Sequence, residues 1–400
     1  MRNKGKQTTT HQTVNGRVRL RRTIYWSPEH GSVIPVDHWL GISNYRFSPG
    51  VREMCSRESL HCSFGVAAEN IFRLSQLAIS DATVRAIVEN QGRVVLSEQC
   101  SGSLRPGFTS DDCTDQTVIT GTDGVMVPLV TDEQKQKRRQ TESDKRKQHN
   151  RRSTAKHGRP KSGSDGSYKE FKVLSFYDPD KKHCHVVGTS GNHEALGRLM
   201  RREASRLGIS RAKSKYAVTD GATWIAKQYA TQLPMLDEHI LDYFHLKERV
   251  VLTSHALYGE GTAKARAWRD DMLGYVWTQG SLVMLARLGN YLRRHRSGAK
   301  RQALKSLRDY VGKRIAMTDY PAFRELGYDC GSGPTESLCG TLTNRLKGSG
   351  MRWDKDNAES VMSLASIYHS GLWNRCWKAQ RSAAWPRQKN FSYTCLDIPN

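Results

Sequence analysis

The sequence predicts an α/β fold with an all-helical block and a small helical region near the amino terminus. In VTDGATWI an apolar run ends at Asp220, and the next apolar residues, Ile225, Tyr229 and Leu233, lie four apart, as on one face of a helix. Strand-like runs alternate with helical spacing around this unit, whereas residues 250–325 show helical spacing throughout. Such alternation is typical of α/β domains.

The composition favours a protein that binds nucleic acid. The chain has 400 residues, enough for two or three domains, and a formal net charge of +24 from 63 Lys and Arg against 39 Asp and Glu. A positive surplus of this size is typical of proteins with a polyanion partner, most often nucleic acid. An anionic membrane surface is the competing partner, but no basic amphipathic anchor stands out, so we expect no membrane partner.

Targeting and cysteine patterns indicate a cytoplasmic protein with reduced thiols. No uncharged run approaches the roughly 18 residues of a membrane span, and MRNKGKQTTTHQ lacks the apolar core of a secretory signal. The nine cysteines are dispersed, and none forms a C-x-x-C pair. This pattern favours free thiols over a disulfide framework or a zinc site.

The amino-terminal part is predicted to contain a DNA-binding region. Residues 1–16 are polar and are expected to form a disordered tail, and residues 17–110 begin with the basic, strand-like RVRLRRTIYW. Further on, two helical stretches flank a short break, and Ser80 or Asp81 can cap the second. The pair fits a helix-turn-helix with Arg85 as a DNA contact, and it fits a plain helical hairpin equally well.

The same Thr-Asp-Gly occurs twice at the end of a strand-like run, at Asp123 in GTDGVMV and at Asp220. For a single Asp-Gly a tight turn is the ordinary interpretation. After Asp220, however, a helix follows instead of a second strand. This carboxylate is therefore expected at the carboxyl end of a strand, where α/β sheets hold ligands.

Two strands and a helix are predicted between the two aspartates, at 170–178, 183–189 and 192–207. His183 and His185 would lie on one side of the second strand, where two histidines can bind a metal ion together. Ordinary surface histidines are the more common interpretation of this spacing.

Residues 131–167 are predicted to form a basic, disordered loop. Positions 135–169 hold 13 Lys or Arg against three acids. Disorder does not prevent such a loop from binding phosphates. The arginines expected to contact DNA here are Arg138, Arg139, Arg151 and Arg152.

The apolar run HILDYFHL, residues 239–246, is interrupted by Asp242 and His245. A carboxylate buried inside a strand is costly unless a charged group or hydrogen bonds compensate it. Asp242 is therefore a candidate functional residue, and a structural hydrogen bond to the backbone or to His245 remains the alternative.

A helix with an acid in its first turn follows the helical block. In CGSGPTESLCGTLTNRLKGSGMRW, Pro334 suits a first helical position and Glu336 lies in the first turn. Lys347 is eleven residues further on and shares the face of Glu336. An acid that complements the helix dipole is the ordinary alternative for Glu336.

Three acids on separate elements of a basic α/β protein suggest a metal site that acts on phosphodiesters. In-line displacement at phosphorus uses two divalent ions about 4 Å apart, one activating the nucleophile and one stabilising the leaving oxygen. Mg²⁺ prefers oxygen ligands and keeps several waters, so a few carboxylates suffice.

Four segments resemble transposases of bacterial insertion sequences of the Kra type, in the DDE class. They are GTDGVMVPL, VTDGATWI, LDYFHLKE, and CGSGPTES with the RLKGSGMRW that follows, and the resemblance covers roughly residues 35–377. It implies an RNase H-like core in two parts, 115–249 and 329–378, separated by an all-helical insertion at 250–328 and followed by a tail at 379–400.

The resemblance also implies the site residues. Asp123, Asp220 and Glu336 would be both the catalytic triad and the metal ligands, and Asp242 and His245 would match a D-x-x-H motif beside the active site. DNA contacts are further expected from Arg345, Lys347 and Arg352 in the RLKGSGMRW segment.

The implied reaction is Mg²⁺-dependent hydrolysis at the ends of the element, which frees 3′-hydroxyls that attack target DNA. Two ions would serve both steps, and Mn²⁺ is expected to substitute. The implied partners are terminal inverted repeats, target DNA and a second copy of the chain, in the bacterial cytoplasm at the nucleoid. The zinc-ribbon-like cysteines that members often carry are missing at YWSPEHG.

Two other functions remain open from the sequence. A degenerate copy that binds DNA without catalysis would explain the charge, although all three acids are present. A structure-selective nuclease on the same fold would fit the acids and the charge but not GSGMRW.

Overall fold

The computed structural model describes residues 1–43, 45–149, 163–295 and 297–383. The chain divides into two compact units, one formed by residues 1–97 with the chain from Leu372 onward, the other by residues 98–371. Within the described ranges, no helix is long and apolar enough to cross a membrane.

The first unit opens with a three-stranded antiparallel sheet in the order β1-β2-β3. Its strands are β1 (Arg2–Thr13), β2 (Gly16–Ser27) and β3 (Gly31–Val33). The prediction of a disordered tail at 1–16 is therefore wrong. Gly16, with φ of +104°, supplies the left-handed backbone of the β1–β2 turn, and the paired backbones satisfy their polar groups although the side chains are mostly polar.

Four helices follow the sheet: α1 (Pro35–Trp39), α2 (Pro49–Glu58), α3 (Phe64–Ser75) and α4 (Asp81–Ser101). The α3 and α4 helices flank the predicted break. Gln76 ends α3 in a left-handed conformation, and Ser80 Oγ accepts a hydrogen bond from the Thr83 amide. Arg85 is exposed on α4. The assignment of this pair as a helix-turn-helix stays a prediction.

The second unit contains a five-stranded mixed sheet in the order β6-β5-β4-β7-β8. Its strands are β4 (Thr117–Pro128), β5 (Tyr168–Tyr177), β6 (Cys184–Thr189), β7 (Ser214–Thr219) and β8 (Glu238–Leu241). The pairs β4–β5 and β5–β6 are antiparallel, whereas β4–β7 and β7–β8 are parallel. The protein is therefore of the mixed α/β class.

Between β4 and β5 the chain forms α5 (Asp132–Gln148), so the prediction of a disordered loop is wrong for this part. A capping box begins the helix: Thr131 Oγ1 accepts from the Gln134 amide, and Gln134 Oε1 accepts from the Thr131 amide. Lys135 forms an ion pair of 2.8 Å with Asp354. Arg151 and Arg152 lie outside the described residues.

Helices cover both faces of the sheet. The helices α6 (His193–Leu207) and α7 (Thr223–Gln232) pack on one face through a core that includes Leu174, Phe176 and Met200. On the other face, Ile119 and Val218 pack against the helical block. The block consists of α8 (Tyr243–Tyr258), α9 (Ala263–Gln279), α10 (Ser281–Arg294), α11 (Gly298–Gly312) and α12 (Tyr320–Glu325).

Three helices complete the described chain: α13 (Gly333–Asn344), α14 (Lys355–His369) and α15 (Trp373–Ala383). The α14 helix is held against β6 by Ser370, whose Oγ accepts a hydrogen bond from the Val186 amide at 2.9 Å. The α15 helix belongs to the first unit.

Candidate functional site

The parallel pairing of β4 and β7 brings two of the predicted acids to the same level of the sheet. Thr120 pairs with Ala217, so three residues further along each strand lead to Asp123 and Asp220. Asp220 follows β7 directly, as predicted from the sequence, and its Oδ1 accepts from the Ala222 amide at 2.8 Å. Asp123, by contrast, lies in the middle of β4, because β5 pairs with this strand from Ile119 to Pro128.

Close packing of α13 on β4 carries Glu336 to this region. Thr335 is buried, and its Oγ1 lies 2.9 Å from Ser175 Oγ on β5. A Cβ on Gly121 would lie only 1.9 Å from Thr335 Oγ1, so this position accepts no side chain. Successive side chains of a strand point to opposite faces of the sheet, so positions two apart share a face. Gly121 and Asp123 therefore both face α13. Glu336 lies next to Thr335, in the first turn of this helix.

Asp242 caps a helix, so the expectation of a carboxylate buried inside a strand is wrong. The strand β8 ends at Leu241, and Asp242 Oδ1 accepts from the amides of Phe244 at 2.5 Å and His245 at 3.4 Å. The energetic reason is that the first amides of a helix need acceptors, which a side chain at this position supplies.

The second carboxylate oxygen of Asp242 holds the loop before α13. Oδ2 accepts from the Ser332 amide at 2.5 Å and from the Ser332 hydroxyl. Asp242 is fully buried, and both of its oxygens are engaged. The structural alternative from the sequence therefore accounts for this residue: Asp242 positions the start of α8 and the start of α13.

Ser332 and His245 both lie against Glu336. Ser332 Oγ is 2.9 Å from Glu336 Oε1, and His245 Nε2 is 3.4 Å from the same oxygen. Ligand atoms of Asp242, His245 and Glu336 lie within 4.8 Å of one another. Because the oxygens of Asp242 already accept four hydrogen bonds, Glu336 and His245 are the members of this group that remain suited to a metal ion.

The charges of the site act on Asp123. Burial raises the pKa of this carboxyl group above its usual value, and the negative charges of Asp220 and Glu336 raise it further. The Gly124 amide, which donates to Asp123 Oδ1 at 2.6 Å, and the His245 side chain oppose this rise. Asp220 and Glu336 thus each act on the charge of Asp123, and a bound cation would offset this repulsion.

The loop after β7 is held by Tyr310 of α11 and by Arg314, which follows this helix. The Tyr310 hydroxyl donates to the Asp220 carbonyl at 3.4 Å, and Arg314 Nε donates to the Gly221 carbonyl at 2.8 Å. The Arg314 guanidinium also lies over the Tyr310 ring at 4.0 Å. These contacts could not be predicted from the sequence, since apolar spacing identifies the buried face of a helix and not the partners of its polar residues.

Cys339 and Ser332 were also not identified from the sequence. Cys339 is buried one turn beyond Thr335, where burial and the charge of Asp123 raise the pKa of its thiol. Ser332 could have been noticed, because it lies four residues before Glu336, immediately before the helix.

The basic residues predicted to contact DNA differ in accessibility. Arg138 and Arg352 are exposed and line a cleft of about 530 Å³ together with Lys137. Arg139 and Lys347 are also exposed.

Arg345 is buried, with its guanidinium 5.0 Å from the centre of the Trp353 ring and Nη1 2.6 Å from Met351 Sδ. Its prediction as a DNA contact does not fit this position, where the planar cation instead packs against the indole.

The two histidines considered as a metal pair have separate carboxylate partners. His183 precedes β6, and its Nδ1 lies 3.2 Å from Asp178 Oδ2. His185 is buried, with Nε2 3.1 Å from Glu203 Oε2. These separate partners do not support a shared metal, and the interpretation as surface histidines does not fit His185.

Comparison with known proteins identifies no family. No family model matches the chain, and no curated protein matches it. Among solved structures, the Drosophila P element transposase strand transfer complex aligns with 12% sequence identity and a TM-score of 0.26, over 82% of this chain and 80% of that chain. At this TM-score the similarity does not establish a common fold.

Proposed function

We propose that this chain is a DDE-class DNA transposase that cleaves DNA strands and transfers them in a reaction dependent on divalent metal ions. The observation that carries the proposal is the parallel register of β4 and β7, which sets Asp123 and Asp220 at the same level, with Glu336 on the helix packed against β4. The three carboxylates are those of Asp123 on β4, Asp220 at the end of β7 and Glu336 on α13. They belong to a chain with a net charge of +24. Such a group suits cations that act on phosphodiesters.

The proposed fold is an RNase H-like core with an all-helical insertion. The five-stranded mixed sheet with helices on both faces supports this assignment. So does the order of elements, because the helical block falls between β8 and the helix that carries Glu336.

The donor set fits Mg²⁺, and Mn²⁺ would bind to the same oxygens. Asp123, Asp220 and Glu336 offer hard oxygen ligands, and Glu336 is half exposed, so water can complete the coordination of an ion. A pair of divalent ions would activate the nucleophile and stabilise the leaving oxygen. Asp123 is the proposed shared ligand, because β4, which carries it, pairs with β7 before Asp220 and packs against α13, which carries Glu336.

Asp242 and His245 act around Glu336 in this proposal. Asp242 accepts a hydrogen bond from the Ser332 amide, and the Ser332 hydroxyl lies against Glu336. Asp242 is therefore a positioning residue. His245 contributes a nitrogen beside Glu336 and favours the ionised form of Asp123. Both residues would therefore keep the carboxylates ready to hold a cation.

The proposed partners are the terminal inverted repeats, target DNA and a second copy of the chain. The exposed cations Lys137, Arg138 and Arg352 line one cleft, which suits a phosphate backbone.

The proposal is tested with labelled duplexes taken from the DNA on either side of the reading frame. In Mg²⁺ or Mn²⁺ the protein should nick these duplexes and join the freed 3′-hydroxyls to a plasmid. Asp220→Asn should abolish both products and leave duplex binding nearly unchanged, whereas Asp271→Asn, an exposed carboxylate on α9, should behave as the parent. Cleavage by Asp220→Asn would refute the assignment, and binding without cleavage by the parent would favour the non-catalytic alternative.

A further inference from the structure

The β1–β2 hairpin of the first unit presents one face that is polar and basic along its length. In the antiparallel register, Gln12 lies opposite Arg17, Thr10 opposite Arg19 and Thr8 opposite Arg21. Side chains of directly opposed residues project to the same side of a sheet. We call this the ribbon face, formed by Lys6, Thr8, Thr10, Gln12, Arg17, Arg19 and Arg21.

Part of the opposite face of the hairpin is buried in the first unit. Arg22 is buried and forms an ion pair with Asp37 of α1. His11, opposite Val18, is also buried. The arginine on the inner face thus has a carboxylate partner, which offsets the cost of its burial.

The three arginines of the ribbon face have no such partner. Arg17, Arg19 and Arg21 are all exposed, and no Asp or Glu within the described ranges forms an ion pair with them. Residues 1–27 contain seven Lys or Arg and no Asp or Glu. The ribbon face is therefore a surface of uncompensated positive charge, complementary to a polyanion.

The hairpin is held at both ends, so its cations are presented on an ordered backbone. Near the turn, the Gln12 amide donates to the Arg46 carbonyl at 2.8 Å, and the Ser48 amide donates to the Gln12 carbonyl at 2.9 Å. At the other end, β2 pairs with β3 through Tyr25 and Val33. Binding through these arginines would order side chains but no backbone.

The dimensions of the ribbon face match the major groove of duplex DNA. Alternate residues of a strand are about 6.7 Å apart, so Arg17 to Arg21 span about 13 Å, against a groove about 12 Å wide that admits a two-stranded β-ribbon. Arginine can bind guanine O6 and N7 at the floor of this groove or phosphates at its edges. A-form RNA offers a deep, narrow major groove that side chains do not reach.

We propose that the β1–β2 hairpin enters the major groove of duplex DNA and binds it through Arg17, Arg19 and Arg21. The inference rests on the proposed function only in naming DNA as the partner, and it requires no catalysis.

The test compares two variants of the full chain with the same loss of charge. R17A/R19A/R21A removes the cations of the ribbon face, and K264A/K300A/K305A removes three exposed lysines of the helical block. Binding to the flanking duplexes is measured by fluorescence anisotropy in EDTA at several salt concentrations. The ribbon variant should bind at least tenfold more weakly, with the slope of log K against log salt reduced by roughly 2 to 3, since each lost phosphate contact removes about 0.9. Equal losses in the two variants would overturn the proposal.

A third variant, which keeps the charge, controls for misfolding. Two competing DNA ligands identify the groove that the protein occupies. R17K/R19K/R21K keeps the charge, so it should recover the parental salt slope, and a slope as low as that of the alanine variant would contradict the proposal. The major-groove ligand methyl green should displace the protein, whereas the minor-groove ligand distamycin should not. Displacement by distamycin alone, or equal binding to duplex RNA of the same sequence, would also overturn it. DNA cleavage by the ribbon variants is measured at saturating protein concentration, where weaker binding no longer limits the reaction. This measurement tests the carboxylate site independently of the hairpin.

Discussion

Asp242 and Ser332 are 90 residues apart in the chain and are joined by two hydrogen bonds, from the Ser332 amide at 2.5 Å and from the Ser332 hydroxyl. This contact ties the end of β8 to the start of α13. Ser332 Oγ also lies within hydrogen-bond distance of Glu336 Oε1. The buried carboxylate of Asp242 therefore controls the position of the exposed carboxylate of Glu336.

Replacement of Asp242 by asparagine tests this positioning role. Asn offers one acceptor oxygen where the carboxylate offers two, so either the cap of α8 or the Ser332 contact loses its partner. We expect unfolding in urea to become easier by about 1–3 kcal/mol, the cost of a buried group without its hydrogen bond. Mn²⁺ affinity should fall as well. Unchanged Mn²⁺ affinity in a folded Asp242→Asn protein would show that Glu336 does not depend on this contact.

Gly121→Ala should disrupt the packing of α13 on β4. The new methyl group would lie 1.9 Å from Thr335 Oγ1, and overpacking of this kind costs about 1–3 kcal/mol. The double variant Gly121→Ala/Thr335→Ala should recover part of the loss of free energy of unfolding. The control is Gly274→Ala on α9, where a Cβ meets nothing within 4 Å and stability should hold or rise. Equal stability of the two alanine variants would contradict the close packing.

The raised pKa of Asp123 predicts how stability depends on pH in the absence of metal. A carboxyl group whose pKa is higher in the folded protein favours folding while it is protonated, and this contribution is lost as pH rises through the folded pKa. In EDTA at neutral pH, Asp123→Asn should therefore melt at a higher temperature than the parent. The difference should shrink as pH falls toward the ordinary aspartate pKa of about 3.9.

Mg²⁺ should reverse this order, because the ion stabilises the parent through its carboxylates and the variant much less. Thermal melts with and without Mg²⁺ between pH 4 and 8 measure both effects. A parent that is more stable than the variant in EDTA at pH 8 would contradict the electrostatic account of Asp123.

The cleft beside α5 is expected to contribute phosphate contacts. K137A/R138A/R352A should flatten the salt dependence of DNA binding by roughly 2 to 3 units on a log-log scale. Salt titrations with the flanking duplexes measure this slope, and K264A/K300A/K305A again provides the control. An unchanged slope would mean that the cleft does not contact DNA.

Local patterns predicted the elements that carry the candidate site better than they predicted its contacts. The apolar run before Asp220 and the helical spacing after it indicated the strand and helix that the structure contains, and Pro334 indicated the start of the helix with Glu336. At Asp242 the apolar residues on both sides concealed a change from strand to helix, since short apolar runs do not distinguish the two.

Composition was misleading where local signals were present. The hairpin at the amino terminus carries Asn15 and Gly16, a common turn pair, but its polar strands suggested disorder. In the same way, Thr131 and Gln134 form a capping box before a segment whose charge suggested a loop. The Asp242–Ser332 contact could not be predicted, because it depends on which elements pack together.

The central claim is that Asp123, Asp220 and Glu336 hold divalent ions in common, and a Mn²⁺ titration followed by electron paramagnetic resonance tests it most directly. We predict two bound ions for the parent and for Asp271→Asn, and weakened or lost binding for each of Asp123→Asn, Asp220→Asn and Glu336→Gln. Parental stoichiometry and affinity in all three variants would contradict the account.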